Sequence, residues 1–148
     1  MSVYNIKQYI VINKAAKWTH GKYATQCAHA SMAVIFNMFR KEKDFKMIEN
    51  GVPKEWYCYD LMVTPDVGKW IDGSFAKIVL KDEGICGLYD LEMHAKQFEV
   101  PTALVKDSGA TQELEDDEQG QTLAIGPFDT DNPKYEPLMK HLSKLRLY

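Results

Sequence analysis

The sequence lacks the features of exported and membrane-spanning proteins. Its longest aliphatic and aromatic runs, at 9–12 and 33–36, have four residues each, whereas a spanning helix needs roughly 20 apolar residues and a signal-peptide core roughly 7 to 15. The three cysteines, Cys27, Cys58 and Cys86, are odd in number and form no CxxC pair. Free thiols in a reducing compartment are the simplest interpretation. We therefore expect a cytoplasmic protein without membrane association.

Sequence signatures of bound cofactors and metals are also missing. The four histidines show no metal-ligand spacing, and the chain contains no P-loop, GxGxxG or GxSxG sequence. Cys27 and His29 lie two positions apart, so on a helix they point to different faces, which argues against a Cys–His nucleophile pair. The sequence favours chemistry that needs no cofactor and no metal.

Charge is unevenly distributed along the chain. Residues 1–41 contain six lysines and arginines and no Asp or Glu, residues 113–118 read Glu-Leu-Glu-Asp-Asp-Glu, and the net charge is −3. A folded domain could therefore carry two faces of opposite sign. The acidic stretch is best explained as a solvated loop. For the basic stretch, a solvated surface and a site for an anionic partner are about equally supported.

Hydrophobic periodicity predicts strands that alternate with helices in one domain, residues 1–148. The predicted strands are 8–13, 76–81, 102–106 and 121–125, and the predicted helices are 22–40, 88–98 and 133–142. We expect Thr19 or His20 to cap the first helix and Gly126-Pro127 to close the last strand. Residues 41–72 have an irregular pattern and are interpreted as a helix extension followed by a long connection, with room for a short helix.

This order of elements indicates an α/β fold. Strands that alternate with helices pair in parallel through right-handed crossovers. We therefore expect a three-layer α/β/α arrangement with a mixed, mostly parallel four-stranded sheet. The last strand is the candidate for antiparallel pairing, because no clear helix precedes it.

Two polar residues follow predicted parallel strands. Lys22 lies after the first strand, at the start of a helix, and Asp107 directly follows the third strand. Because ligands of open α/β sheets bind beyond the carboxyl ends of parallel strands, both groups are expected at one edge. A lysine at a helix N-terminus suggests an external phosphate or a developing oxyanion. An exposed lysine and, at Asp107, an ordinary turn are slightly simpler explanations from the pattern alone.

Five motifs follow one another along the chain: Gly21-Lys22-Tyr-Ala-Thr-Gln26-Cys27-Ala-His29-Ala30, Lys77-Ile-Val-Leu-Lys81, Asp107-Ser-Gly-Ala-Thr111-Gln112, Leu123-Ala-Ile-Gly-Pro127 and Leu145-Arg-Leu-Tyr148. Together, and in this order, they resemble the archaeal and eukaryotic type of peptidyl-tRNA hydrolase. The resemblance implies a mixed four-stranded sheet between helices and hydrolysis of the ester that joins a peptide to tRNA.

The resemblance also implies roles for single residues. The catalytic lysine, aspartate and first threonine of the family fall on Lys22, Asp107 and Thr111. The second family threonine, counted back from the Ile-Gly-Pro motif, falls on Gln121. Its neighbour Thr122 faces the other side of the strand and replaces it only if the register slips.

A hydrolytic mechanism follows from these assignments. Asp107 is expected to position and partly deprotonate a water, and Lys22 to stabilise the oxyanion or a phosphate. Thr111 and Gln112 would orient the water or the ester carbonyl. The remaining predicted substrate contacts include Gln26 and Gln121 and, against the RNA backbone with salt-sensitive affinity, Lys14, Lys17 and His20.

Two other functions remain open from the sequence. One is a binding module of this fold that holds tRNA or a protein without turnover, and the other is a hydrolase of another small ester or amide. The aromatic residues at 56–59 fit either core packing or the interface of a homodimer.

Overall fold

A mixed five-stranded sheet lies at the centre of the fold. In the computed structural model, which describes residues 5–14, 17–42, 45–83, 87–107 and 121–148, its strands are β1 (Ile6–Asn13), β6 (Lys77–Asp82), β7 (Thr102–Lys106), β8 (Gln121–Asp129) and β9 (Arg146–Leu147). Their order is β7–β8–β1–β6–β9. The β1–β6 pairing is parallel, and the pairings β1–β8, β7–β8 and β6–β9 are antiparallel.

The sheet differs from the predicted one in strand count and in pairing. Four strands were too few because β9, which has two residues and is too short to show a pattern, adds to the free edge of β6. A mostly parallel sheet was wrong because β8 lies antiparallel between β1 and β7. Since both are antiparallel to β8, β1 and β7 run in the same direction, and their carboxyl ends reach one edge of the sheet.

Four helices accompany the sheet in the described ranges: α1 (His20–Phe36), α2 (Pro65–Asp72), α3 (Leu88–Gln97) and α4 (Glu136–Leu142), the last preceded by a 3₁₀ turn at Pro133–Tyr135. Thr19 caps α1, since its hydroxyl accepts a hydrogen bond from the backbone N–H of Lys22 at 3.2 Å. The first helix therefore begins close to its predicted start but ends four residues early. None of the described helices is both long and apolar enough to cross a bilayer.

Side chains of the central strands alternate between two apolar clusters. Tyr9 and Val11 of β1 and Leu123 and Ile125 of β8 pack with α3 and α4. The intervening side chains pack with α1, and they include Ile10, Ile12 and Ala124. Because adjacent strand residues face opposite sides, the register of β8 determines which of its first residues faces α1.

The prediction that Gly126-Pro127 ends the last strand was wrong. β8 continues to Asp129, and its pairing with β1 shifts between Lys7 and Tyr9. Gly126 allows this, because its φ is +96° and a Cβ there would lie 2.8 Å from the backbone oxygen of Lys7. Glycine adopts this conformation without the penalty that other residues meet.

The segment between α1 and α2 was expected to be irregular and is instead largely β-structure. β2 (Phe39–Lys41) pairs with β5 (Tyr59–Leu61), and β3 (Phe45–Glu49) pairs with β4 (Val52–Trp56), each pair antiparallel. Asn50 and Gly51 join β3 to β4 with φ of 53° and 75°, the conformation that favours Asn-Gly in two-residue hairpin turns. The short helix α2 follows, as the sequence allowed.

Replacing Gly126 with alanine should destabilise the fold. Strain at a positive φ and a contact with a fixed backbone oxygen should together cost about 1–3 kcal/mol, which lowers the thermal midpoint by roughly 2–4 °C for each kcal/mol. Calorimetry checks this. Gly68→Ala is the control, because a Cβ there meets only Val63 at 3.9 Å, and it should leave the midpoint unchanged or raise it. Equal midpoints for both variants would contradict the role of Gly126.

Candidate active site

A buried ion pair joins the start of α1 to the end of β7. Lys22 is the third residue of α1, and Asp107 directly follows β7. The Lys22 Nζ and Asp107 Oδ1 atoms are 2.7 Å apart, with side-chain exposures of 11% and 4%. The expectation that these groups share one edge is confirmed. A buried charge is costly without a partner, so each side chain holds the other in place.

Gln26, one turn after Lys22 in α1, also contacts the Asp107 carboxylate. Its Nε2 donates a hydrogen bond to Asp107 Oδ1 at 3.3 Å, and the residue is buried. Both donors therefore approach the same oxygen. The other oxygen, Oδ2, is buried and has no hydrogen-bond partner among the described residues. Asp107 is thus fixed through one oxygen and presents the second.

Within the described part of the chain, three buried side-chain polar atoms have no hydrogen-bond partner: Asp107 Oδ2, Trp18 Nε1 and Thr122 Oγ1. They belong to residues around the first turns of α1. The Trp18 ring lies 5.9 Å from Lys22 Nζ. Buried polar atoms are usually paired, so each of these atoms is able to hydrogen-bond a polar ligand.

Thr122 lies beneath α1 without any slip of register. The β7–β8 pairing is regular from Lys106 opposite Gln121 to Thr102 opposite Ile125. Thr122 lies opposite Ile12 on one side and Val105 on the other, so it faces α1 as those residues do. Strand alternation directs Gln121 to the opposite face, and the structure does not bring it to the Lys22–Asp107 pair.

The face on which Thr122 lies could not be related to Lys22 from the sequence. Alternation along Leu123, Ala124 and Ile125 shows that Thr122 and Ala124 share one side of the strand. The structure adds that α1 covers that side.

Two predicted RNA contacts, Lys14 and His20, gather beside the start of α1. The Nζ atom of Lys14 lies 4.7 Å from the ring centroid of Tyr148 and 5.3 Å from that of Tyr23. His20 Nδ1 is hydrogen-bonded to the Tyr148 hydroxyl at 2.6 Å. Lys17 is exposed nearby in the sequence, with a positive φ of 51°.

Thr111 and Gln112 lie outside the described residues, so their roles stay predictions. Cys27 packs against both clusters on the α1 side of the sheet. Burial raises the pKa of its thiol to about 11. The thiol is therefore protonated near neutral pH and is a poor nucleophile. His29 is exposed.

Comparison with known proteins identifies the family of this chain. The family described as peptidyl-tRNA hydrolase PTH2 matches residues 6–145, and the chain belongs to that family. A protein of Thermococcus onnurineus named peptidyl-tRNA hydrolase is 30% identical over 110 residues, which cover 74% of this chain and 75% of the relative. A Methanopyrus kandleri protein of the same name is 34% identical over 121 residues, covering 82% and 84%. The resemblance found in the motifs is confirmed.

The buried ion pair should show strong energetic coupling. Lys22→Met leaves Asp107 charged and buried, and should cost about 3–5 kcal/mol of unfolding free energy. The double variant Lys22→Met/Asp107→Asn removes both charges and should cost less than the sum of the two single changes, by about 0.5–3 kcal/mol. Denaturant unfolding of the four proteins in this cycle measures the difference. Additive effects would show that the two groups do not stabilise each other.

Proposed function

We propose that this protein hydrolyses the ester bond linking a peptide, or an N-blocked amino acid, to tRNA, and so releases free tRNA. The observation that carries the proposal is the Asp107 carboxylate, which Lys22 and Gln26 hold through Oδ1 while the buried Oδ2 remains available. The names of two relatives, both called peptidyl-tRNA hydrolase, also support the proposal. Among the described residues, no specific contact favours a binding module or another ester substrate.

In the proposed reaction, Asp107 Oδ2 accepts a hydrogen bond from the attacking water and takes up its proton as the new C–O bond forms. The ester carbonyl becomes a tetrahedral oxyanion, which the Lys22 ammonium stabilises. Collapse of that intermediate breaks the bond to the ribose oxygen. The products are tRNA with a free hydroxyl, which receives the proton that Asp107 accepted, and a peptide with a carboxylic acid, which releases the second proton of the water to solvent.

Thr122 is proposed to hold the water or the ester carbonyl. Its buried hydroxyl lies on the face that carries Ile12 and Val105, one cross-strand pair from the strand end that Asp107 follows. A hydroxyl can both donate and accept, so it suits either ligand. Thr111 and Gln112 remain proposed partners from their family positions. The alternation of side chains along β8 supports Thr122, rather than Gln121, as the residue that takes the role of the family's second threonine.

Several wider features belong to the same proposal. Packing of α1 against one set of alternating strand side chains, and of α3 and α4 against the other, supports a single three-layer α/β/α domain. A tRNA substrate supports action in the cytoplasm. The exposed aromatic rings of Trp56, Tyr57 and Tyr59 support a homodimer interface.

Hydrolysis of N-acetylaminoacyl-tRNA tests the function. The unchanged protein should cleave the ester, Asp107→Asn should lower kcat/KM by about 10²–10⁴-fold, and Lys22→Met by about 10²–10³-fold. Asp129→Asn is the matched control. It removes another buried carboxylate, at the far end of β8, and should retain activity if the variant folds.

Each alternative function predicts a different result in this assay. Tight tRNA binding by the unchanged protein without cleavage would indicate a binding module. The absence of both binding and cleavage would indicate another substrate. Full activity in the Asp107 and Lys22 variants would show that the reaction takes place elsewhere.

Binding of tRNA should depend on salt through the basic residues near α1. Lys17→Gln removes an exposed cation and should reduce the slope of log KM against log salt by about 0.7–0.9. Lys140→Gln on α4, which removes a cation 73% exposed, should leave the slope unchanged. Equal salt slopes for Lys17→Gln and the unchanged protein would show that Lys17 does not contact the RNA.

A further inference from the structure

Tyr148 is fixed beside the first turn of α1 although it lies at the far end of the sequence. It follows β9, and its backbone N–H donates a hydrogen bond to the Val79 carbonyl at 3.1 Å. Its side chain then contacts three neighbours: the His20 ring nitrogen, the Lys14 ammonium and the Tyr23 ring. Backbone and side chain are therefore both held in place.

A row of aromatic rings connects Tyr148 to the ion pair. Lys22 Nζ lies 5.9 Å from the Trp18 ring centroid. The Trp18 and Tyr23 centroids are 5.5 Å apart, and the Tyr23 and Tyr148 centroids are also 5.5 Å apart. Trp18 and Tyr23 are buried, whereas Tyr148 remains 45% exposed. The row thus begins at the proposed reaction centre and reaches solvent at Tyr148.

The chemistry around Tyr148 suits a nucleotide. An aromatic ring with exposed surface can stack on any of the nucleobases, whatever the sequence of the nucleic acid. The adjacent Lys14 ammonium can bind a phosphate. The His20 ring lies edge-on to the Tyr148 ring, with the two ring centroids 6.0 Å apart. The scissile ester is attached to the terminal ribose of the tRNA, so the unpaired bases of the 3′ end must lie on the surface that adjoins the reaction centre.

We propose that Tyr148, with His20 and Lys14 beside it, forms a stacking site for the unpaired bases at the 3′ end of the tRNA. The inference rests on the proposed function and adds to it the part of the substrate that is recognised. Tyr148 is then a specificity residue. It binds a base of the 3′ end and takes no part in breaking the bond.

Two substitutions separate stacking from structural support. Tyr148→Leu removes the ring, whereas Tyr148→Phe keeps the ring and removes only the hydroxyl that contacts His20. We expect Tyr148→Leu to raise KM for N-acetylaminoacyl-tRNA, and the inhibition constant of the trinucleotide CpCpA, by about 10-fold. Its kcat should change little, and Tyr148→Phe should stay close to the unchanged protein. Tyr89→Leu, at a tyrosine 64% exposed on α3, is the matched control.

An unchanged KM and inhibition constant in Tyr148→Leu, or a fall in kcat alone, would overturn the proposal, because Tyr148 would then only anchor β9 to α1. If Tyr148→Leu does not fold, Tyr148→Trp provides the test. Its larger ring should bind CpCpA at least as tightly, with a change in tryptophan fluorescence, and weaker binding would overturn the stacking site.

The two proposals fail in different ways. Cleavage by the unchanged protein together with an unaffected Tyr148→Leu would overturn only the stacking site. Binding of CpCpA that depends on Tyr148, without ester cleavage by the unchanged protein, would support the stacking site and overturn the hydrolase.

Discussion

The ion pair between Lys22 and Asp107 is the constraint on which the candidate site depends. A lysine in the first turn of a helix is unfavourable, because the N-terminal end of the helix dipole is positive. Asp107 offsets this with a negative charge 2.7 Å from the ammonium. The helix start therefore needs the end of β7, and the buried carboxylate at the end of β7 needs the helix. Neither group could stay charged and buried there alone.

The rest of the local structure keeps this pair in one geometry. Thr19 caps α1 through the backbone N–H of Lys22, which keeps Lys22 in the first turn of the helix. Gln26, four residues further along one face of the helix, reaches the same carboxylate oxygen. Because both donors use Oδ1, the carboxylate cannot rotate without losing both contacts, and Oδ2 keeps a defined direction. A fixed acceptor of this kind lowers the reorganisation needed during a reaction.

The sequence predicted the parts of the fold that have strong patterns and clear boundaries. β7 has its predicted bounds, and Lys22 and Asp107 meet because β1 and β7 end at the same edge. The prediction held although β7 does not neighbour β1, since direction along the sheet decides where a strand ends. The pairs β2–β5 and β3–β4 were missed because they are short and exposed and show no buried face, although Asn50-Gly51 carried a hairpin signal. That Thr122 shares the α1 side of the sheet could not be predicted, because the side that α1 covers is decided by tertiary packing.

The position of Tyr148 also sets the order in which the site can be assembled. His20 and Tyr148 are 128 positions apart, and Lys22 and Asp107 are 85 apart. Contacts of such high sequence separation form late, because the intervening chain must first lose its conformational freedom. A nascent chain that ends after β1 and α1 contains Lys22 and His20 but neither Asp107 nor Tyr148. The ion pair can form only after residue 107 has been synthesised. The row of aromatic rings that ends at Tyr148 can form only after residue 148 has been synthesised. Shorter nascent chains therefore lack the full site.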